Sequence, residues 1–565
     1  MRHWGQVFVI VIIAVILAMF AATPPNPQKG DAPSDFFSSA RAMVDVEIIS
    51  DKPHPTGSTE NEKVRAFLTQ RLENLGLSVT IQQGPLEGRY LERLNRWSGR
   101  DKTQQIITNV IGILPGQKPD NKALLLMAHH DTVWGSPGAA DDTIGVASII
   151  EIIRAVSDIK RERDIIVLFT DAEELGLVGA KLFFNSHPLR DTIGAVINFE
   201  ARGGGGTANL FQTSGGNAEA VEVFAKAVKQ PSVSSLSTFV YDVLPNDTDM
   251  TPALKKDYIA YNIANIGKAQ YYHSPKITPQ ALSKRTLQHM GSQGLDLTRA
   301  LISRSKLPTR TTNATFFDVF GFFTIIYAPF WGWLILLAAT CFYAASLKHI
   351  RPLKPIAISA MKMLGFIVVG GIALFVLNWL SGSNDDADYY DRLAAITKLE
   401  WAVLFLSIAI FVVFLTETKM KTPQESAQSR FGLALPLLVI GIIGQALAPT
   451  ATYFISIALL LGGIVAFNAY RLGDRSMNTF SVTLAAALVL GYMLYLGHYL
   501  MLGVGPDMPF VVILPAALAA MIIAKLCPLL TPSKQKLISF AFLELSVGLA
   551  LFIRFDPVAS TVPLY

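Results

Sequence analysis

The sequence predicts an α/β sandwich with a largely parallel sheet, joined to a polytopic α-helical membrane domain. Three observations lead to this prediction. Between residues 123 and 199, short apolar runs alternate with segments of helical apolar spacing, as in parallel sheets buried on both faces. Most of the charged residues lie within residues 31–310. Beyond residue 315, apolar runs of membrane-spanning length are separated by short polar loops.

The composition excludes several classes of protein. Of the 565 residues, 51% are hydrophobic and only 16% are charged, which is too apolar for an ordinary pair of soluble domains. The net charge of +5 comes largely from the short loops between apolar runs, so it does not indicate a nucleic-acid partner. The two cysteines, Cys341 and Cys527, lie in or beside apolar runs. We therefore expect no disulfide in the charged domain, whose size allows an adequate core.

The α/β part is predicted element by element. Continuous apolar runs predict three buried strands, over 123–129, 164–170 and 194–199. The apolar spacing within residues 142–156 predicts a helix between the first two strands, and Asp142 suits its N-cap. A second helix is predicted over 177–185. Parallel strands joined by right-handed crossovers bring their carboxyl ends to one edge of the sheet.

Nine apolar runs predict membrane spans. One run covers about residues 7–22, and eight follow the charged domain, over about 317–345, 356–380, 400–416, 431–449, 452–470, 479–502, 508–526 and 536–554. Lysine and arginine cluster in alternate loops, so the positive-inside rule predicts a charged domain outside the cytoplasm. The first run serves as an anchor in this interpretation, but a cleavable signal peptide is an open alternative with the same topology.

These patterns divide the chain into three parts. We predict an anchor and linker over 1–30, an extracytoplasmic domain over 31–310 and a membrane domain over 311–565. Short loops and a cysteine-free external domain favour a bacterial cytoplasmic membrane with a periplasmic domain. In a eukaryote, the same topology places the domain in the lumen of the endoplasmic reticulum or vacuole.

Five side chains of metal-binding type lie where apolar segments end. His129 ends the first predicted strand, Glu174 follows the second and Glu200 ends the third. Asp141 and His273 lie in loops that can reach the same edge of the sheet. Singly, each residue has an ordinary explanation, because a histidine after a strand usually only satisfies its hydrogen bonds and paired carboxylates are usually solvated. Five in this order and spacing indicate a zinc site.

Three other histidines have no partner in this pattern and are interpreted as structural: His130, His187 and His289.

The chain resembles the co-catalytic di-zinc aminopeptidase family, which includes bacterial aminopeptidases, glutamate carboxypeptidases and the metal-free transferrin receptor. The resemblance runs from Pro53 to the end of the charged domain and includes the stretches at 198–204 and 246–249. The apolar runs look like those of the branch with endoplasmic reticulum metallopeptidase and vacuolar membrane proteases, in number and placement only. The resemblance implies a zinc-exopeptidase α/β/α sandwich with a mixed, largely parallel central sheet.

The resemblance also implies a set of ligands for two zinc ions per chain: His129 and Glu200 for one, Glu174 and His273 for the other, and Asp141 for both. Three protein ligands per zinc leave an open position, as catalytic zinc requires. The chain departs from most soluble members in having Glu200 in place of aspartate, and Ile144 where serine is common. Neither departure removes a ligand.

The implied reaction is peptide hydrolysis by a zinc-bridging hydroxide, most simply as an aminopeptidase. Glu173 would be the general base, and Asp131 would orient the His129 imidazole. The expected partners are peptide substrates and the lipid bilayer, with no nucleic acid. In an alternative of another class, the chain is a transporter, receptor or scaffold whose peptidase-like domain is accessory or a binding module. Ionisable residues inside the spans would favour this alternative. Few are present, and His498 and Glu544 are the candidates.

Overall fold

The computed structural model describes residues 4–385, 389–419, 421–472 and 476–556. The chain divides into two compact units. One is Thr23–Ile326, which we call the α/β unit, and the other is Met1–Ala22 with Tyr327–Val558, which we call the helical unit. The helical unit begins with α1 (Trp4–Ala22).

A seven-stranded sheet forms the centre of the α/β unit. Its strands are β1 (Ser78–Pro85), β2 (Ile106–Leu114), β3 (Ala123–His129), β4 (Ile165–Thr170), β5 (Ile193–Ala201), β6 (Gly205–Thr213) and β7 (Ile259–Gly267). They lie in the order β1-β2-β4-β3-β5-β7-β6. The pairs β4/β3, β3/β5 and β5/β7 are parallel, and β1/β2, β2/β4 and β7/β6 are antiparallel. The predicted fold class, a mixed and largely parallel sheet, is confirmed.

Helices cover both faces of this sheet: α2 (Ser39–Ile49), α3 (Thr59–Asn74), α4 (Arg89–Ser98), α5 (Thr143–Val156), α6 (Val178–Ser186), α7 (Ala218–Ala227), α8 (Ser235–Val243), α9 (Met250–Leu254) and α10 (Lys284–Ile302). Strand β3 is buried along its whole length. Leu124 and Leu126 pack into the core with α2, α5 and α10, whereas Leu125 and Met127 pack into the core with α6 and α9. A strand with two buried faces has no polar alternation, which explains its continuous apolar run.

The predicted helices of this unit differ from the observed ones by a residue at most at each end. Helix α5 begins directly after Asp142, whose carboxylate accepts a hydrogen bond from the Gly145 amide at 3.1 Å, so the predicted N-cap is confirmed. This cap fixes where the helix leaves the loop that contains Asp141.

The other helices of the helical unit are α11 (Trp331–Ala345), α12 (Lys354–Asn378), α13 (Tyr389–Ala394), α14 (Ile396–Leu415), α15 (Pro423–Leu447), α16 (Tyr453–Leu472), α17 (Ser476–Val504), α18 (Ile513–Ile523) and α19 (Pro532–Phe555). Among the described residues, seven helices are long and apolar enough to cross a membrane: α1, α12, α14, α15, α16, α17 and α19. The predicted runs over 317–345 and 508–526 contain shorter apolar helices instead, α11 and α18.

The predicted start of the 317–345 run is wrong. Two short strands, β8 (Thr315–Asp318) and β9 (Thr324–Tyr327), pair with each other before α11 begins. The turn between them has Gly321 at φ 77°, where glycine is favoured, and the Asp318 carboxylate accepts the Gly321 amide at 2.7 Å. A hydropathy pattern does not separate this apolar hairpin from the helix that follows it.

Candidate metal centre

Adjacent parallel strands place three of the candidate residues together. His129 is the last residue of β3, and it pairs in register with Thr170, the last residue of β4. Glu173 and Glu174 follow β4 directly, and Glu200 is the penultimate residue of β5. Since β4, β3 and β5 are neighbours in the sheet, their carboxyl ends form one edge, where ligand sites of open α/β sheets lie.

Asp141 lies between two imidazoles. Its Oδ1 is 3.0 Å from Nε2 of His129, and its Oδ2 is 3.1 Å from Nε2 of His273. Both histidines are buried, and the Asp141 side chain is only 10% exposed. One carboxylate therefore faces two ring nitrogens with a different oxygen for each.

Each imidazole also faces a second carboxylate. Glu200 Oε1 is 3.5 Å from Nε2 of His129, and Glu174 Oε2 is 3.3 Å from Nε2 of His273. Asp141 with His129 and Glu200, and Asp141 with Glu174 and His273, each form a group able to hold a metal ion. The structure thus brings all five predicted ligands together in two groups that share Asp141.

The donor atoms fit zinc in type and in spacing. Imidazole nitrogen and carboxylate oxygen are zinc ligands with bonds of about 2.0 to 2.1 Å, which at a tetrahedral angle puts two donor atoms about 3.3 Å apart. The four separations between imidazoles and carboxylates run from 3.0 to 3.5 Å. In addition, Glu174 Oε1 and Glu200 Oε2 are buried without a hydrogen-bond partner among the described residues. Buried oxygens without donors are suited to a cation.

Asp131 connects the two halves of this centre. Its Oδ1 accepts the Glu173 amide at 3.0 Å and its Oδ2 accepts the Glu174 amide at 3.3 Å. Thr56 Oγ1 lies 3.2 Å from Oδ2, but it is closer to Asp171 Oδ1, at 2.9 Å, and has one proton to donate. The ring nitrogen Nδ1 of His129 is 2.9 Å from the Asp131 backbone carbonyl but 3.6 Å from its carboxylate. The carboxylate therefore holds the Glu173–Glu174 loop, and the carbonyl is the hydrogen-bond partner of the imidazole.

Glu173 belongs to a further group of potential metal donors, with His129 and Glu174. Its backbone is tied to Asp131, while its side chain points to the same centre as the predicted ligands. A carboxylate so close to a metal site is also suited to proton transfer.

Burial and mutual repulsion dominate the electrostatics of the centre. Burial raises the pKa of Glu173 well above its ordinary value, and repulsion from Glu200 and Glu174 adds to this effect. Burial likewise raises the pKa of Glu200 to about 7. For Asp141, burial acts in the same direction, but hydrogen bonds with the two imidazoles outweigh it and hold its pKa well below the usual range. A bound cation stabilises such a cluster in its ionised form.

Two further residues at this centre were not predicted as site residues. Asp249 is buried and accepts a hydrogen bond from Thr170 Oγ1, and burial raises its pKa to about 6. Tyr241 lies on α8, and burial together with the charge of Glu200 raises its pKa. Neither residue ends an apolar strand. The acidic stretch at 246–249 was the only signal for Asp249, and no spacing indicated Tyr241.

The histidines interpreted as structural bind backbone groups. Nε2 of His130 is 3.0 Å from the Thr108 carbonyl. His289 accepts the Ala208 amide on Nδ1 at 3.2 Å, and its Nε2 is 2.9 Å from the Gln230 carbonyl. Nδ1 of His187 accepts the Leu189 amide at 3.2 Å. Within the described ranges, none of the three belongs to a group able to hold a metal ion.

Comparison with known proteins supports the resemblance found in the sequence. Residues 109–298 match the model of Peptidase family M28. A vacuolar membrane protease of Eremothecium gossypii is 32% identical over 322 residues, which is 54% of this chain and 32% of the relative. A putative endoplasmic reticulum metallopeptidase 1-A of Caenorhabditis elegans is 28% identical over 377 residues, 62% of this chain and 41% of the relative. The predicted resemblance to zinc peptidases with membrane relatives is confirmed.

The chain spans less than half the length of these curated relatives. Among solved structures, the aminopeptidase from Aneurinibacillus sp. strain AM-1 aligns over 49% of this chain and 99% of its own length, with 15% identity and a TM-score of 0.39.

Proposed function

We propose that this chain is a membrane-bound zinc metallopeptidase that removes residues from the amino terminus of peptides. One observation carries the proposal: the Asp141 carboxylate lies between two imidazoles, each of which faces a further carboxylate. This arrangement matches a pair of metal sites that share one ligand. The match of residues 109–298 to a peptidase family supports the same activity.

The proposal assigns two zinc ions per chain. His129 and Glu200 would hold one ion, Glu174 and His273 would hold the other, and Asp141 would be shared by both. When bound, zinc acts as a Lewis acid toward a carbonyl group and lowers the pKa of water. Six donor positions from five residues leave each ion open to a further ligand, as in catalytic rather than structural zinc sites.

Glu173 is the proton carrier in this proposal. Its carboxylate accepts a proton from the attacking water and donates it to the leaving amine, which balances the reaction. Asp131 positions this residue, because its two oxygens bind the amides of Glu173 and Glu174.

The charge of the centre favours an amino terminus over a carboxyl terminus in the substrate. Five carboxylates of the centre, Asp131, Asp141, Glu173, Glu174 and Glu200, already carry more negative charge than two zinc ions balance. An ammonium group is attracted by this excess and a carboxylate is repelled. A peptide with a free amino terminus should therefore be cleaved at least tenfold faster than its N-acetylated counterpart. Equal rates for the two peptides would contradict aminopeptidase activity.

The α/β unit is proposed to lie outside the cytoplasm. The charge pattern of the loops supports this side of the membrane, and several apolar helices support membrane attachment. The substrates are then peptides in the periplasm or in an organelle lumen.

The decisive experiment compares the purified full chain with its Glu173→Gln variant. We expect close to two zinc ions per chain by elemental analysis in both proteins, and at least a hundredfold lower peptide hydrolysis in the variant, since an amide accepts no proton from water. Glu162→Gln, at an exposed ion pair with Lys118, is the matched control and should keep both properties. Wild-type protein without bound transition metal, or full activity in Glu173→Gln, would refute the proposal.

A further inference from the structure

The helical unit contains a cavity of about 590 Å³ between α1, α12, α14, α17 and α18. Three lining side chains, Glu400, Ser407 and His498, are polar, and the others are aliphatic, aromatic or sulfur-containing. Cavities of a few hundred Å³ with an apolar lining and a few polar groups are typical ligand sites. The peptidase chemistry proposed above does not use this cavity.

One end of the cavity carries a hydrogen-bonded couple of polar side chains. Nδ1 of His498 on α17 is 2.9 Å from Oε1 of Glu400 on α14. The His498 side chain is 40% exposed and the Glu400 side chain is 19% exposed. The sequence had indicated His498 but not Glu400. Glu544, the other candidate from the sequence, is exposed on α19 and does not line the cavity. A carboxylate among apolar helices is costly and therefore usually functional.

The cavity runs along the helices away from this couple. On α14 its lining extends from Glu400 to Phe411, which at 1.5 Å per residue is about 16 Å. Half of a bilayer's hydrocarbon core is about 15 Å thick. The space therefore matches one acyl chain of one leaflet, with Glu400 and His498 at one end. The remaining polar side chain, Ser407, donates its hydroxyl to the Val403 carbonyl of its own helix.

Gly497 leaves room for a ligand in the wall of the cavity. This residue lies within α17 and lines the cavity, and a Cβ added there would meet no atom within 4 Å. Glycine inside a helix costs roughly 1 kcal/mol relative to alanine. Gly491 on the same helix has a packing reason, since a Cβ there would lie 3.0 Å from the Ala14 carbonyl of α1. At Gly497, by contrast, an added side chain would meet open space, so a large residue can be placed there to fill the cavity.

We propose that this cavity binds the acyl chain of a long-chain amphiphile whose head group is uncharged or cationic and donates hydrogen bonds to Glu400. The His498 contact uses one carboxylate oxygen of Glu400. Within the described part of the chain the second oxygen accepts no hydrogen bond, so a hydroxyl or ammonium donor of a ligand can bind it. An anionic head group is repelled by the same carboxylate. The ligand class is thus a lipid with a hydroxyl or amine head rather than a free fatty acid.

Photolabelling of the purified full chain in detergent tests this site. The probe is a C16 monoacylglycerol with a diazirine in the middle of its chain, and labelled residues are mapped by mass spectrometry. We expect labels on the lining of α14 and α17, including Ser407 and Met493. Gly497→Phe should reduce labelling at least fivefold, because the ring occupies the cavity. Labels spread evenly over the lipid-facing helices would overturn the proposal.

Gly371→Phe is the matched control, since Gly371 also lies within a helix, α12, with no atom within 4 Å of an added Cβ, but does not line the cavity. The cavity of the Gly371→Phe variant should be labelled as strongly as that of the wild type. Size-exclusion elution and the unfolding temperature establish that each variant is folded. If Gly497→Phe does not fold, Ala516→Leu is used in its place, because Ala516 also lines the cavity and the larger side chain would occupy part of it. Unchanged labelling in a folded cavity-filling variant would overturn the site.

The head group is tested with a C16 fatty acid that carries the same diazirine. We expect it to label the cavity at least fivefold less than the monoacylglycerol. Glu400→Gln should narrow this difference to within about twofold, because the repelling charge is removed while an acceptor oxygen is kept. Equal labelling by the two probes in the wild type would refute the assignment of the head group.

Discussion

Replacement of Asp131 by asparagine tests whether one carboxylate positions the loop with Glu173 and Glu174, which we call the catalytic loop. The two oxygens of Asp131 accept the amides of Glu173 at 3.0 Å and Glu174 at 3.3 Å. Asparagine has the same shape but only one acceptor oxygen. Its NH₂ group must therefore face one of these amide donors, and the loop shifts to relieve that contact.

The size of the effect follows from this geometry. A hydrogen bond to a charged group contributes about 1.5 to 3 kcal/mol. Loss of one such bond in the positioning of Glu173 and Glu174 corresponds to a decrease of roughly 10-fold to 150-fold in kcat/KM. Outer-sphere partners of metal ligands typically contribute about 10-fold to 100-fold to affinity or activity, so the two estimates agree.

The assay measures peptide hydrolysis and zinc content of the purified full chain. Asp164→Asn is the matched control, because Asp164 also accepts a backbone amide, that of Gly116 at 2.7 Å. It precedes β4, whereas the catalytic loop follows this strand, so the two sites are about 20 Å apart. Wild-type kcat/KM in Asp131→Asn, or an equal decrease in Asp164→Asn, would refute the reasoning.

Three further predictions concern other parts of the chain. Asp141→Asn should weaken both zinc sites together, whereas His273→Ala should weaken mainly one; zinc titration that showed loss of a single site in Asp141→Asn would contradict the shared ligand. Burial lowers the pKa of His289 from 6.5 to about 4. Between these pH values the folded state therefore binds fewer protons than the unfolded state. The contribution of His289 to the stability of the folded state is present above pH 6.5 and is lost as the pH falls toward 4. Between pH 7 and pH 5, the free energy of unfolding, measured with denaturant, should decrease by about 2 kcal/mol more in the wild type than in His289→Gln. An equal decrease in the two proteins would disprove this role of His289. Finally, a reporter active only outside the cytoplasm should be silent when fused within residues 422–429, and activity there would reverse the proposed orientation.

The sequence alone predicted three of the seven strands of the sheet, two of the helices around it and most of the candidate ligands. The buried strands β3 and β4 and the helix α5 were predicted because their apolar periodicities are local and each run of residues carries its own pattern. His129 and Glu200 stood out since the carboxyl ends of parallel strands share one edge of the sheet. These inferences need no knowledge of how distant segments meet.

Other features were decided by tertiary structure. Asp141 reaches both imidazoles only because a loop 12 residues after His129 folds back to it and a second loop brings His273 to its other oxygen. The carboxylate of Asp131 binds backbone amides 42 and 43 residues further along the chain. Local spacing carries no record of these contacts, because loop conformation depends on the packing of the elements that each loop connects.

The membrane part follows the same division. Apolar length predicted the spanning helices, because a bilayer imposes a minimum number of apolar residues on every span. It did not predict the β8–β9 hairpin, whose residues are as apolar as a span, nor the contact of Glu400 with His498, which lie 98 residues apart. Composition thus indicated which segments are apolar enough to cross a membrane, and only the packing of helices against one another decided which polar groups meet and where a cavity is left.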